Sequence, residues 1–352
     1  MQQTVVPGVT MWSAWQAERN VFFNSFCIAT EEGNLVVDPL APEEADIAEM
    51  EALGGVASIA LTNRDHERGA RALAERFGAK LIASKIDAPL FALHVDRTVS
   101  DGDVVGGARV VALDGLKTPG EFALHFPERK TVIVGDALWG DPAGSLRLMP
   151  DAKLGDPPRA VLSLRKLRAL RPEHLLVGDG ACIFGNAHQA IWAALEARSD
   201  AYVNRINIDE AVWSKGLDDR PPYDAEAFDV DDLIGAEKLG YRLGRLTPGT
   251  SFCPDHWHLA EEELFVVLEG GATLETPRGA WKLRRGDLVA FPTRSSGSHK
   301  LVNDGDVACV FLAVANVDER DVCFYPKSGK LLVEKTGHLV RDNPVLDYYD
   351  GE

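Results

Sequence analysis

Cysteine is scarce in this sequence and never occurs in closely spaced pairs. The 352 residues include five cysteines, an odd number, and no two are spaced as CxxC. A disulfide framework or a zinc site built on thiolates needs regularly spaced cysteines. The sequence therefore predicts reduced thiols, and with them a cytoplasmic protein.

Long apolar runs and surplus positive charge are also lacking. No stretch reaches the roughly 18 uncharged apolar residues of a membrane span, and residues 1–15 lack the basic and apolar segments of a secretion signal. The 37 Lys and Arg residues face 54 Asp and Glu, and the net charge of −17 repels nucleic-acid phosphates and anionic membranes. We therefore expect neither a nucleic-acid nor a membrane partner.

What the sequence does contain is typical of a folded chain. It is 45% hydrophobic and 26% charged, close to the average for globular proteins. Its length is enough for two domains, each with its own core. The pattern of residues changes near position 200, so we predict one domain over 1–200 and a second over 201–352.

The first domain alternates short apolar runs with helical periodicity, a pattern typical of an α/β fold. The predicted strands lie at 26–29, 35–37, 58–61, 80–83, 110–113, 131–134 and 174–177, and the predicted helices at 42–53, 66–77, 158–170 and 186–198. Beyond 200 the chain reads as short strands separated by Gly, Pro and Asp turns, which predicts an all-β barrel or sandwich.

Four residues with metal-ligating side chains lie between these turns. His256 and His258 are two apart, so in an extended strand they project on one side. Glu263 opens the next apolar strand, and His299 follows a further turn and strand. Three imidazoles and one carboxylate suit one divalent ion such as Mn, Fe, Co, Ni or Zn, with positions left for water or substrate. Residues Phe265, Val267 and Phe291 are predicted to line an apolar pocket beside it.

These segments resemble the two motifs of the cupin superfamily. Gly249, His256, His258, Glu263 and Gly270 follow the first motif, with a loop one residue longer than usual before His256. The second motif is matched by Gly286, Pro292, His299 and Asn303, but Arg294 stands where a glycine is common. The resemblance implies a jelly-roll β-barrel that holds one metal ion and binds a small molecule. It also implies that the protein forms a homodimer.

Residues 10–198 resemble the metallo-β-lactamase superfamily. The resemblance rests on Asn34-Leu-Val-Val-Asp38, Leu61-Thr-Asn-Arg-Asp-His66, Lys117-Thr-Pro-Gly120, Val134-Gly-Asp136 and Val177-Gly-Asp179. It implies an αββα sandwich whose loops hold one or two metal ions. Leu61, Asn63 and Lys117 stand where the family has histidines, so the first metal site is expected to be empty.

A second metal site is left open by this resemblance. Asp65, His66, Asp136 and Asp179 occupy its positions and suit a harder ion such as Mg²⁺ or Mn²⁺, while the Lys117 ammonium would supply the charge of the lost first site. The alternative is that the three aspartates are helix caps and turn residues, with His66 and Lys117 paired to them. In that interpretation Asp65 caps a helix that begins at His66.

Three functions fit this sequence. The first is a metal-dependent cupin enzyme of the isomerase, lyase or dioxygenase class acting on a small molecule, with the altered hydrolase-like domain as a scaffold or ligand-binding unit. The second is a non-catalytic protein that binds or senses a metal and a small ligand. The third is a metal-dependent ester or thioester hydrolase that uses the residual second site.

Overall fold

The computed structural model divides into two compact units, Met1–Val203 and Asn204–Glu352. The structure describes residues 1–198, 201–215, 220–342 and 349. Most of the last ten residues of the second predicted domain therefore lie outside the described residues.

The first unit is built on a long mixed sheet. Its strands are β1 (Gln2–Gln3), β2 (Val9–Gln16), β3 (Val21–Ile28), β4 (Leu35–Val37), β5 (Ser58–Leu61), β6 (Lys80–Ser84), β7 (Arg97–Val99), β8 (Val104–Val105), β9 (Ala108–Ala112), β10 (Phe122–Phe126), β11 (Thr131–Gly140), β12 (His174–Gly180) and β13 (Ile183–Phe184). Its helices are α1 (Glu44–Ala52), α2 (Ala70–Phe77), α3 (Pro157–Ala169) and α4 (Ala187–Glu196).

The sheet has two halves that join at a single residue pair. One half runs β7-β6-β5-β4-β3 and the other β12-β11-β10-β9-β8, with Asp179 of β12 opposite Phe23 of β3. An apolar layer that includes Phe26, Leu124 and Leu176 draws on both halves, because their strands carry buried side chains on both faces. Two further layers pack α1 and α2 on one half and α3 and α4 on the other. The first unit is thus an αββα sandwich.

The second predicted helix begins later than the sequence pattern indicates. Residues Arg64–His66 form a short 3₁₀ turn, and α2 begins only at Ala70. The turn is capped by Asn63, whose side chain accepts a hydrogen bond from the Asp65 backbone nitrogen at 2.9 Å. The interpretation of Asp65 as the cap of a helix starting at His66 is therefore wrong. The capping residue is Asn63, two residues earlier, and it caps the 3₁₀ turn.

In the part of the second unit that the structure describes, the regular secondary structure is mainly strand. The strands are β14 (Ser214–Lys215), β15 (Glu226–Asp229), β16 (Leu239–Leu246), β17 (Trp257–His258), β18 (Glu263–Glu269), β19 (Gly271–Thr276), β20 (Gly279–Arg284), β21 (Leu288–Phe291), β22 (Lys300–Val302), β23 (Cys309–Asn316), β24 (Val322–Tyr325), β25 (Lys330–Val333) and β26 (His338–Arg341), with one short helix, α5 (Asp231–Ile234). They form sheets of six, four and three strands around a core that includes Phe265, Phe291 and Phe311.

Candidate metal centre

The four predicted metal-binding residues of the second unit lie together. Backbone hydrogen bonds of 3.1 and 3.0 Å join His256 to His299, which fixes the two histidines side by side. His258 lies in β17, and Glu263 begins β18. The Nε2 atoms of His256, His258 and His299 lie 3.7, 3.8 and 3.4 Å from one oxygen, Oε2 of Glu263. Three ring nitrogens therefore face one carboxylate oxygen.

Each of the three imidazoles is oriented by an acceptor on its other nitrogen. Nδ1 of His256 lies 3.0 Å from the Pro254 carbonyl oxygen, and Nδ1 of His299 lies 2.9 Å from that of Gly297. Nδ1 of His258 lies 2.6 Å from Oδ2 of Asp321. When Nδ1 carries the proton for these contacts, the Nε2 lone pair is left free, and this tautomer is the one that binds a metal ion.

The centre of the cluster contains buried polar atoms without a partner. His299 is 1% exposed, and neither its Nε2 nor Oε2 of Glu263 has a hydrogen-bond partner. Such atoms are costly in a protein interior unless an ion or water satisfies them. A cation among the four side chains would satisfy both, so the residues present fit a bound divalent ion.

Protonation favours the same interpretation for two of the histidines. Burial lowers the pKa of His256 to about 4 and that of His299 to about 3. Both rings are therefore neutral at neutral pH, as a ligand must be. Burial also lowers the pKa of His258, but contact with Cys323 and the charge of Glu263 outweigh it and raise that pKa to about 10. A bound cation would replace the proton on His258.

Two aromatic rings contact His299 of this cluster, and both belong to residues predicted to line a pocket. The ring of Phe291 stacks on His299 with centroids 3.6 Å apart, and Phe265 meets His299 edge-on at 5.4 Å. Val267 is buried in the barrel core. The two aromatic rings keep water from the protected side of His299.

Three residues beside the cluster were missed by the sequence analysis, and all lie at one strand. Asp321, Cys323 and Tyr325 alternate along β24 and the residue before it. Asp321 accepts from His258 and, at 2.7 Å, from the Ala260 backbone nitrogen. Cys323 lies near enough to His256 and His258 to form a second group of ligand-type atoms within 4.8 Å. Their spacing of two residues could have indicated that the three side chains share one face of a strand. Nothing in the sequence, however, indicated that this strand lies beside His258.

The loop before His299 carries backbone strain at the position where the cupin motif usually has glycine. Arg294 has φ +69° and ψ −176°, a region that side chains with a Cβ rarely adopt. Its backbone nitrogen donates to the His258 carbonyl oxygen at 2.6 Å. The departure of Arg294 from the motif is thus accommodated by strain at the rim of the site.

The corresponding residues of the first unit are arranged differently. Asp65 and His66 lie on the 3₁₀ turn after β5, Asp136 on β11 and Asp179 on β12. Every group of three or more metal-ligating atoms found within 4.8 Å among the described residues lies in the second unit. The structure therefore does not bring Asp65, His66, Asp136 and Asp179 together as a ligand cluster.

Ion pairs occupy the ligand atoms of Asp65, His66 and Asp136 instead, whereas neither carboxylate oxygen of the buried Asp179 has a hydrogen-bond partner. Nδ1 of His66 lies 2.9 Å from Oδ2 of Asp38, and its Nε2 lies 3.3 Å from Oδ1 of Asp136. Lys117 pairs with Asp65 and lies 3.5 Å from Oδ2 of Asp136. Pairing of His66 and Lys117 with carboxylates was the alternative raised from the sequence. Asp38, which the sequence analysis names only as part of a family motif, is a further member of this network.

Comparison with known families agrees with both halves of the architecture. The family model described as "Metallo-beta-lactamase superfamily" matches residues 1–197, more than half of the chain. The chain belongs to the metallo-β-lactamase superfamily. A second family model, described as "Cupin domain", matches residues 242–315 of this metallo-β-lactamase superfamily member. The predicted fusion of the two folds is confirmed.

Individual relatives resemble one half or the other. This chain is 29% identical over 187 residues to a hydroxyacylglutathione hydrolase of Cereibacter sphaeroides, covering 51% of this chain and 69% of the relative. A metallo-β-lactamase structure from Pontibacter korlensis shares 16% identity, with a TM-score of 0.47 and coverage of 56% and 98%. A putative sugar phosphate isomerase structure from Acidithiobacillus ferrooxidans shares 26% identity, with a TM-score of 0.37 and coverage of 41% and 97%.

Among the described residues no helix is long and apolar enough to cross a membrane.

Proposed function

We propose that the cupin domain binds one divalent transition-metal ion through His256, His258, Glu263 and His299, and that the chain is a metal-dependent enzyme acting on a small molecule. The observation that carries this proposal is the convergence of three Nε2 atoms on Oε2 of Glu263, at 3.4 to 3.8 Å. The ligand set suits Mn, Fe, Co, Ni or Zn.

The chain's own residues define what this centre can do. A bound ion would polarise a carbonyl or hydroxyl oxygen or take up dioxygen, which corresponds to isomerase, lyase or dioxygenase chemistry. Asp321 holds the His258 ring, and the Phe265 and Phe291 rings exclude water from the far side of His299. The Cys323 and Tyr325 side chains lie beside the histidine pair, where they would contact a bound molecule.

A binding or sensing protein without turnover is the second candidate. It would use the same ligand set, and Asp321, Cys323 and Tyr325 would then select the ligand instead of positioning a reacting atom. The strained loop at Arg294 is as compatible with a ligand-dependent change of conformation as with catalysis. Turnover is what separates the two candidates.

Hydrolysis of an ester or thioester by the first domain is the third candidate. The likeness to hydroxyacylglutathione hydrolases favours it. The geometry opposes it, because both nitrogens of His66 face carboxylates and Lys117 lies between Asp65 and Asp136.

One experiment tests the three candidates together. The full-length protein would be loaded in turn with Fe(II), Mn(II), Ni(II) and Zn(II) and screened on small hydroxy and keto compounds, with oxygen consumption recorded, and on esters and thioesters. We expect an activity that His258→Ala abolishes and Asp136→Ala leaves intact in the folded protein. The opposite pattern would establish the hydrolase, and ligand binding to the metal-loaded protein without turnover would establish the binding protein.

A further inference from the structure

Two basic side chains lie on opposite sides of Asp136, the residue at the metal-bridging position of the superfamily. Lys117 lies 3.5 Å from Oδ2 and His66 lies 3.3 Å from Oδ1. We propose that Lys117 and His66 replace the metal ions of the first domain, which therefore folds around a metal-free charge network.

Both ring nitrogens of His66 face carboxylates, and the Nε2 contact with Asp136 is a hydrogen bond. Its ring is 1% exposed, with Asp38 facing Nδ1 and Asp136 facing Nε2. To donate to a carboxylate on each side, the ring must carry a proton on both nitrogens, whereas a ligand needs one nitrogen free. Asp38 is itself fixed, since it accepts from the Thr62 backbone nitrogen at 2.8 Å.

Lys117 closes the other side of the network. Its ammonium pairs with Asp65 and approaches Asp136, and an ammonium group has donors but no lone pair. A lysine ordinarily carries its positive charge at neutral pH. Asp136 is buried and needs a counter-charge, which the family supplies with metal and this chain with side chains.

The space near Asp136 is also closely packed. A Cβ at the neighbouring Gly135 would lie 2.9 Å from Nδ2 of Asn63 and 3.1 Å from Cε1 of His66. Leu61 and Asn63, which stand in place of two family histidines, offer no imidazole there. The residues of the first metal site therefore do not fit a bound metal ion.

Metal binding to the full-length chain tests this proposal directly. The His258→Ala variant removes one ligand of the cupin centre, and bound Mn²⁺ per chain would be measured by equilibrium dialysis and elemental analysis. We expect no equivalent of Mn²⁺ on this variant. One equivalent that disappears when Asp136→Asn is added would overturn the proposal. Failure of the wild-type protein to bind Mn²⁺ would count against the cupin proposal alone.

Removing Lys117 should leave the two aspartates that it neutralises free to bind a cation. In the His258→Ala background, Lys117→Ala leaves Asp65 and Asp136 without their ammonium, so we expect Mn²⁺ to bind and to raise the melting temperature by several degrees. Lys117→Arg keeps the charge and should bind none. Lys130→Ala is the matched control, because Lys130 pairs with Glu173 at 3.6 Å on the surface of the same unit.

An unchanged melting temperature and no Mn²⁺ uptake in Lys117→Ala would show that the lysine does not replace a metal ion. If Lys117→Ala fails to fold, the measurement on His258→Ala still decides whether the first domain binds a metal.

Discussion

The two units of this chain treat the same kinds of side chain in opposite ways. In the second unit, three histidines direct one ring nitrogen to a backbone or carboxylate acceptor and leave the other facing Glu263. In the first unit, His66 has a carboxylate on both nitrogens, and Lys117 lies among the remaining ones. Neighbouring histidines and carboxylates therefore suit a metal ion only where their free lone pairs point to one place. They do not suit it where other side chains of the protein already occupy those lone pairs.

The largest expected effect is the loss of metal from the cupin centre in His299→Ala. Removing an outer partner of a ligand costs about 10–100-fold in metal affinity, so removing a ligand should cost more than ~100-fold. Competition with a chromogenic chelator measures this affinity. His338→Ala, on exposed strand β26 of the same unit, is the control and should leave affinity unchanged. Equal affinity in His299→Ala would remove the distinction between the two units.

A smaller loss of metal affinity is expected in Asp321→Asn. The substitution weakens the acceptor that lies 2.6 Å from Nδ1 of His258 without touching the converging nitrogens. We expect affinity to fall by about 10–100-fold, measured by the same competition. Asp304→Asn, which removes an exposed partner of Lys282, should have no effect. An unchanged affinity in Asp321→Asn would mean that packing alone orients His258.

Asp179 allows a pH test of the first unit. Burial, followed by the charge of Asp136, raises the pKa of Asp179 to about 6 from its ordinary value of 3.8. The folded state therefore holds this proton more tightly than the unfolded state, and the resulting stability is lost as pH rises through 6. We expect Asp179→Asn to stabilise the unit by about 3 kcal/mol at pH 7 and by much less at pH 4.

Hydrogen exchange of β11 and β12, compared at the two pH values, measures this effect within the first unit alone. Asp151→Asn is the control, because the Asp151 side chain is largely exposed and pairs with Arg198 at the surface. Equal stabilisation at pH 4 and pH 7 would contradict the raised pKa.

The smallest effect is expected for Asp65→Asn. Its ion pair with Lys117 is more than one-third exposed on both sides, and exposed ion pairs contribute about 0.2–1 kcal/mol. Thermal unfolding at low and high salt should show a small loss that salt reduces further. A loss as large as that of a buried ion pair, about 3–5 kcal/mol, would place Asp65 at the centre of the network instead of its edge.

Local sequence patterns predicted the strands of the first unit well where apolar runs are short and bounded by turns. The predicted strands at 35–37 and 58–61 coincide with β4 and β5, and that at 131–134 lies within the longer β11. The turn at Arg64–His66 was missed because a helical pattern continued through it. The Asn63 side chain accepts a hydrogen bond from the Asp65 backbone nitrogen, and this local hydrogen bond competes with helix formation.

The sequence by itself predicted an α/β domain followed by a β domain, and strand alternation placed His256 and His258 on one face. The resemblance to two families implied the particular folds and the set of four metal-binding side chains. Only the tertiary structure decided the protonation and partners of those side chains. Asp321 reaches His258 across 63 residues, and Asp136 reaches His66 across 70. Hydrogen bonds over such separations depend on how strands pack, and no local pattern records them.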